Sequence, residues 1–223
     1  MKLNRIYETA AEMPPTLPLF PLAGALLLPR RPIQLNVFEP RYLAMLDDAL
    51  SGDRLIGIMQ PAAGEAAVGM TPDLFKIGCA GRVVQYAEIG DGRCFLTLMG
   101  VSRFRIEEEL TTLTPYRMAA TDYAPFALDF VPGSGEAGVD RQSLLAGLRQ
   151  FAQVNDLKVD WDDIEKAPNE PLVNALSMMS PFGAQEKQAL LEAPDLKTRA
   201  ELLVAISQMA LARVSDDTPK ILN

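Results

Sequence analysis

The 223-residue chain carries 21 lysines and arginines against 29 aspartates and glutamates, a formal net charge of −8, and a field of that sign repels a phosphate backbone at long range. Hydrophobic residues at 48% and charged residues at 22% are the balance of a globular protein rather than a disordered one. Histidine is absent and the cysteines are Cys79 and Cys94 alone, which excludes Ser/His and Cys/His catalysis, histidine metal sites, a thiolate metal site and a disulfide framework.

No run of 18 or more apolar residues occurs, and Met1 to Pro14 lacks the basic and apolar regions of a signal peptide, so no membrane partner and a cytoplasmic location are expected. Met1 to Pro15 has no sustained period and reads as a mobile or loosely docked lead-in. In Leu17-Pro18-Leu19-Phe20-Pro21-Leu22 the prolines cannot donate to a ladder, which predicts an edge strand or a strand start. Leu26-Leu27-Leu28 is a second short apolar piece, and Ile33, Leu35 and Val37 alternate as a strand. Pro40 fits the first turn of a helix, because its missing N–H would be an orphan there. Tyr42, Met45, Leu46 and Ala49 then recur at helical spacing, with Gly52 as the stop.

Leu55 to Met59 is a buried-strand run, Pro61 to Pro72 a loop rich in Ala and Gly, and Ile77 to Glu88 a strand. Gly90-Asp91-Gly92 marks a tight hairpin, since turns that match strand twist need positive φ. The return strand is Cys94 to Met99, a change of direction is allowed at Gly100, and further strands follow at Val101 to Ile106 and Tyr116 to Tyr123. The hairpin sets Cys94 facing Ala87 to Ile89 and Cys79 roughly opposite Ser102, so the two thiols do not bond. From Ala124 to Val139 two prolines, three glycines and a serine erase any period, which predicts a linker. Helices are expected from Asp140 to Val154, from Asn169 to Met179, from Gln185 to Glu192, and after Asp195 as a cap. The reading is α+β: a β part with one inserted helix over residues 1–124, a linker over 125–139 and four helices over 140–215.

Leu17-Pro18-Leu19-Phe20-Pro21-Leu22, Phe38-Glu39-Pro40-Arg41-Tyr42, Asp91-Gly92-Arg93 and Gly100-Val101-Ser102-Arg103-Phe104-Arg105-Ile106 resemble, in order and spacing, the motif series of the amino-terminal, substrate-binding domain of Lon ATP-dependent proteases. The resemblance runs from about Leu17 to Arg213 and implies a PUA-like β pseudo-barrel followed by a helical bundle. No Gly-x-x-x-x-Gly-Lys-Ser/Thr loop is present, so the phosphate cradle of a Lon ATPase is missing. The resemblance is to stand-alone Lon-domain proteins, which implies a non-catalytic module for protein and peptide substrates. Its expected partners are unfolded or exposed apolar protein segments, with a protease or chaperone as the recipient, and no nucleic acid. A small-molecule or RNA-binding PUA-like module is the alternative.

No catalytic, cofactor-binding or metal-binding residue is expected. The lysines lie in no Ser-x-x-Lys context, and Asp47/Asp48, Glu107 to Glu109 and Asp162/Asp163 read as solvated surface. Leu26, Leu27, Leu28, Met59, Met70 and Phe75 are the candidate walls of a peptide site, on the ground that an adaptable apolar surface suits varied clients. The family-motif residues Glu39, Pro40, Arg41, Tyr42, Asp91, Gly92, Arg93, Arg103 and Phe104 read as structural. Glu39, Arg41, Arg93 and Arg103, set among Phe38, Tyr42 and Phe104, are expected to form one partly buried network tying the helix entrance to the hairpin. On that reading Glu39→Gln lowers the unfolding free energy by more than about 1 kcal/mol, and a melting curve identical to wild type removes the network.

Overall fold

A computed structural model of the chain describes residues 6–62, 72–154 and 160–216. Six strands pair in one sheet: β1 (Thr16–Pro21), β2 (Pro32–Val37), β3 (Leu55–Met59), β4 (Ile77–Glu88), β5 (Cys94–Leu110) and β6 (Arg117–Asp122). Their order is β2-β5-β4-β3-β1-β6, and β5 pairs with β6 as well, so the pairing of β5, β4, β3, β1 and β6 closes on itself while β2 is added on the outside of β5. The chain divides into two compact units, one of residues 1–132 with 181–191, the other of residues 133–180 with 192–223.

β1 corrects the edge-strand expectation, because it has neighbours on both sides: β6 along Thr16 to Leu19 and β3, in parallel, along Leu19 to Pro21. The prolines fit by phase. Thr121 N–H donates to the Pro15 carbonyl at 3.0 Å, which makes Thr16–Ala120 and Pro18–Met118 the pairs without mutual hydrogen bonds. The N–H that Pro18 lacks would therefore point away from β6. β5 likewise is one strand of 17 residues where the sequence predicts a break at Gly100. Its first half pairs with β2, its last part with β6. A Cβ on Gly100 would run into the Leu28 carbonyl, so glycine serves there for close approach rather than for a turn.

The helix α1 (Pro40–Ser51) begins and ends as its sequence predicts, and buries Tyr42, Met45, Leu46 and Ala49. Tyr42 stacks on Phe20 of β1 with ring centroids 4.4 Å apart. Near its other end Asp48 Oδ2 accepts from the Tyr116 hydroxyl at 2.6 Å. Burial, followed by this bond to a carboxylate, pushes the Tyr116 phenol up to about 12. The lead-in is not loose where described, since Tyr7 and Met13 are buried in one core with Leu17, Leu19, Leu55, Met59, Phe104 and Tyr123. Both cysteines are buried and form no disulfide; Cys94 faces Glu88, and Cys79 faces Arg103 rather than Ser102, beside a register shift at Ala80/Gly81.

The second unit holds α2 (Arg141–Val154), α3 (Trp161–Lys166), α4 (Asn169–Met179) and α6 (Leu196–Asp216). Two corrections apply to the expected set of four helices. α3 is a helix the sequence does not predict, being six residues long and too short to show a period. α5 (Ala184–Glu192) lies almost wholly in the 181–191 segment that groups with the strands, because its polar side chains reach strand and loop carbonyls: Gln188 Nε2 donates to Ile77 O at 3.1 Å and Lys187 Nζ to Gly24 O at 2.9 Å. Burial lowers the Lys187 pKa.

Caps explain where the helices of the second unit begin. Asp140 accepts from Ser143 N–H at 3.0 Å and Asp195 from Thr198 N–H at 2.7 Å, as their sequence positions predict. Asn169 does not cap α4, whose cap position is Pro168. The donor is taken up from outside, by Glu136 Oε1 accepting Glu170 N–H at 2.7 Å. The hydrogen bonds from Thr198 hold the Asp195 carboxyl below its usual pKa. A carboxylate lowered in this way stabilises above its unfolded pKa of about 4, and the contribution is lost as pH falls through the lower folded value. Asp195→Ala is expected to cost about 1 kcal/mol at neutral pH, and Asp195→Asn to weaken the acid dependence of unfolding below about pH 4; chemical denaturation as a function of pH measures both.

Candidate peptide-binding face

The hairpin between β4 and β5 is built by the turn that Gly90-Asp91-Gly92 specifies: all three residues have positive φ (82°, 52° and 70°), and Arg93 N–H donates to the Gly90 carbonyl at 3.0 Å. β4 is 12 residues long and its other neighbour β3 only five. Pairing between them ends at Arg82, so residues 85–88 pair with β5 alone, past a register shift at Val84, and the hairpin projects past β3. Across it run the rows Asn36, Phe95, Ala87 and Val37, Cys94, Glu88, which bring Phe38 and Ile89 to the same end of the sheet. Four large apolar side chains are exposed here: Phe38 by 62%, Val84 by 52%, Tyr86 by 49% and Ile89 by 52%.

Charged residues at this end are arranged locally, and the expected network does not form. Arg41 Nη2 meets Glu39 Oε2 at 2.7 Å, and the Arg41 guanidinium lies 4.6 Å from the Tyr42 ring centre. Burial raises the Tyr42 phenol pKa, with Arg41 acting against it. Arg93 meets Asp91 at 3.4 Å, in the open. Exposed pairs two residues apart need no partner from another element, because water already solvates them.

Arg103 departs from this group altogether. It is buried with Asp129, their side chains only 4% and 8% exposed. Nη2 donates to Asp129 Oδ1 at 2.8 Å, while Nε and the backbone N–H donate to Oδ2, both at 2.9 Å. Nη1 donates to the Leu191 carbonyl at 3.1 Å, and the guanidinium lies 4.7 Å from the Phe126 ring centre. Arg30 Nη1 donates to the Asp129 carbonyl. Asp129 sits in the 3-10 turns of Ala124–Phe130, within the stretch expected to be a linker. One acid in a proline-rich stretch carries no sequence signal of burial.

The expected peptide walls are corrected too. Leu26, Leu27, Leu28 and Met59 are fully buried and have no surface to offer a ligand. Phe75 is half-buried, its N–H donating to Gln60 O at 3.1 Å, and Met70 lies outside the described residues. Phe104 is core, its ring centre 6.1 Å from that of Tyr123. The exposed residues Val84, Tyr86 and Ile89 were missed, although a signal existed: an apolar run of Ile77 to Ile89 is too long to be covered by the five-residue run Leu55 to Met59. Among the described residues no three His, Cys, Asp or Glu side chains come together as a metal site, and no helix is long and apolar enough to cross a membrane.

The family model of the ATP-dependent protease La (LON) substrate-binding domain matches residues 16–208, and the chain belongs to that family. It is 27% identical over 215 residues to Lon protease 2 of Sorangium cellulosum, covering 91% of this chain and 26% of that protein. It is 25% identical over 202 residues to Lon protease 2 of Myxococcus xanthus, covering 87% and 24%. The chain thus spans about a quarter of the length of these relatives. The Lon N-terminal domain protein from Xanthomonas campestris superposes with a TM-score of 0.60 at 23% identity, covering 85% of this chain and 97% of that one. For the N-terminal domain of the Mycobacterium avium complex Lon protease the TM-score is 0.63 at 15% identity, covering 86% and 98%.

The contrast between the two kinds of ion pair is testable by chemical denaturation. Glu39→Gln is now expected to change the unfolding free energy by less than about 1 kcal/mol, as for exposed pairs. Asp129→Ala leaves Arg103 buried without its partner and is expected to cost about 3 to 5 kcal/mol.

Proposed function

We propose that this domain is a non-catalytic module that captures exposed apolar segments of unfolded proteins at the hairpin end of its sheet and passes them to a protease or chaperone in the cytoplasm. Membership of a substrate-binding family supports the class of ligand. The observation that carries the location is the exposure of Phe38 and Ile89, each two residues beyond Asn36 and Ala87, which share one face of the sheet in a cross-strand row with Phe95, since apolar side chains side by side in water favour a covering ligand. Aromatic and branched aliphatic side chains read hydrophobicity rather than sequence, which suits a module that meets many clients. On the same reading the closed ring of β5, β4, β3, β1 and β6 is the PUA-like pseudo-barrel that the motif series implies, and it serves as the rigid support of the hairpin.

Light scattering of a heat-aggregating client with and without the protein tests the proposal. Wild type is expected to suppress aggregation, and Phe38→Ser combined with Ile89→Ser to lose most of that effect. Melting should change little, because surface substitutions usually fall within about 0.5 kcal/mol. Equal suppression by wild type and the double variant would move the site elsewhere, and no suppression by wild type would remove the function.

A further inference from the structure

The strand β2 ends the pairing order, hydrogen-bonded to β5 on one side only. The phase of that ladder is known, because Gly100 N–H donates to the Arg31 carbonyl at 2.9 Å. Pro32–Met99 is then a pair without mutual hydrogen bonds, and so, two and four residues on, are Gln34–Thr97 and Asn36–Phe95. The N–H and C=O groups of Gln34 and Asn36 consequently point away from β5. Neither residue makes another backbone hydrogen bond to a described residue, and both are exposed. Pro32, with no N–H to give, closes one end of this edge, and Phe38 stands exposed just past the other.

We propose that β2 is a strand-addition site: an extended client segment pairs with it through the outward groups of Gln34 and Asn36 and lays an apolar side chain against Phe38. The proposal rests on the peptide-binding reading above and adds how the segment is held. Two donors and two acceptors repeating about every 6.8 Å match the spacing of alternate residues in an extended chain. A helix has satisfied its own backbone and cannot use them. Main-chain pairing also explains how a module can bind segments of unrelated sequence, since every residue but proline offers the same groups. A second copy of this chain is the weaker occupant, because an edge of six residues falls far short of the roughly 1,200 Å² that a specific dimer buries.

The test uses fluorescence anisotropy with a nine-residue peptide of alternating valine and threonine bearing one phenylalanine. Two further versions of this peptide are N-methylated at alternate residues, one at the valine positions and one at the threonine positions. Strand addition predicts that one version binds about tenfold more weakly, from two lost hydrogen bonds, and the other as well as the parent. Gln34→Pro removes an outward N–H that the β2–β5 ladder does not use, and is expected to weaken the parent peptide similarly with unchanged melting. Equal binding by all three peptides overturns strand addition and leaves side-chain capture standing. Failure of the parent peptide and of an unfolded client alike overturns both. A dimer in sedimentation that Gln34→Pro dissolves assigns the edge to a second copy and likewise overturns the proposal.

Discussion

The buried pair of Arg103 and Asp129 is the constraint on which the first unit depends. A guanidinium taken out of water must be matched by a carboxylate and have its remaining donors satisfied, or it costs several kcal/mol. Here one carboxylate takes the backbone N–H, Nε and Nη2, and the Leu191 carbonyl takes Nη1. Three segments distant in sequence are thereby held at one point: the middle of β5, the 3-10 turns of Ala124–Phe130, and the end of the 181–191 segment. Hydrophobic burial alone would bring such segments together without choosing their register. A planar fork with its donors in fixed directions does choose it.

That anchoring gives a physical context for the exposed hairpin. An open sheet edge and apolar side chains in water are liabilities that proteins usually cover or charge. β2 and the far end of β4 carry both, while Asp91, Arg93, Glu39 and Arg41 keep charges close by in exposed pairs. The hairpin is supported on both sides, by β2 running beside β5 from Met99 to Cys94 and by β3 holding β4 from Cys79 to Arg82. A rigid support beneath an uncovered edge lowers the ordering cost of binding on the side of the protein, leaving only the client to be ordered.

The parts of the fold that were legible in the sequence are those set by neighbours in the chain. Pro40 and the stripe of Tyr42, Met45, Leu46 and Ala49 define α1; Gly90-Asp91-Gly92 defines the hairpin; Asp140 and Asp195 cap their helices. The misreadings share one cause. Glu39, Arg41, Arg93 and Arg103 look alike as charged residues among aromatics, yet the first three pair locally, Glu39 with Arg41 and Arg93 with Asp91, and the last is buried against an acid 26 residues away. Leu26 to Leu28 look like a surface for clients because their run is short and apolar, but they pack inside. Nothing local distinguishes a leucine that lines a groove from one that fills a core.

The sequence by itself determined α1, the β4–β5 turn, the caps at Asp140 and Asp195, the absence of histidine chemistry and the likeness to a substrate-binding family, because each rests on residue type and spacing within a few positions. Tertiary structure alone decided which charge is buried, that 181–191 groups with the strands rather than with the helices flanking it, and which apolar residues face water. Those outcomes depend on which distant groups share a desolvated space and on how far one strand outruns its neighbour, and neither quantity is carried by a window of sequence.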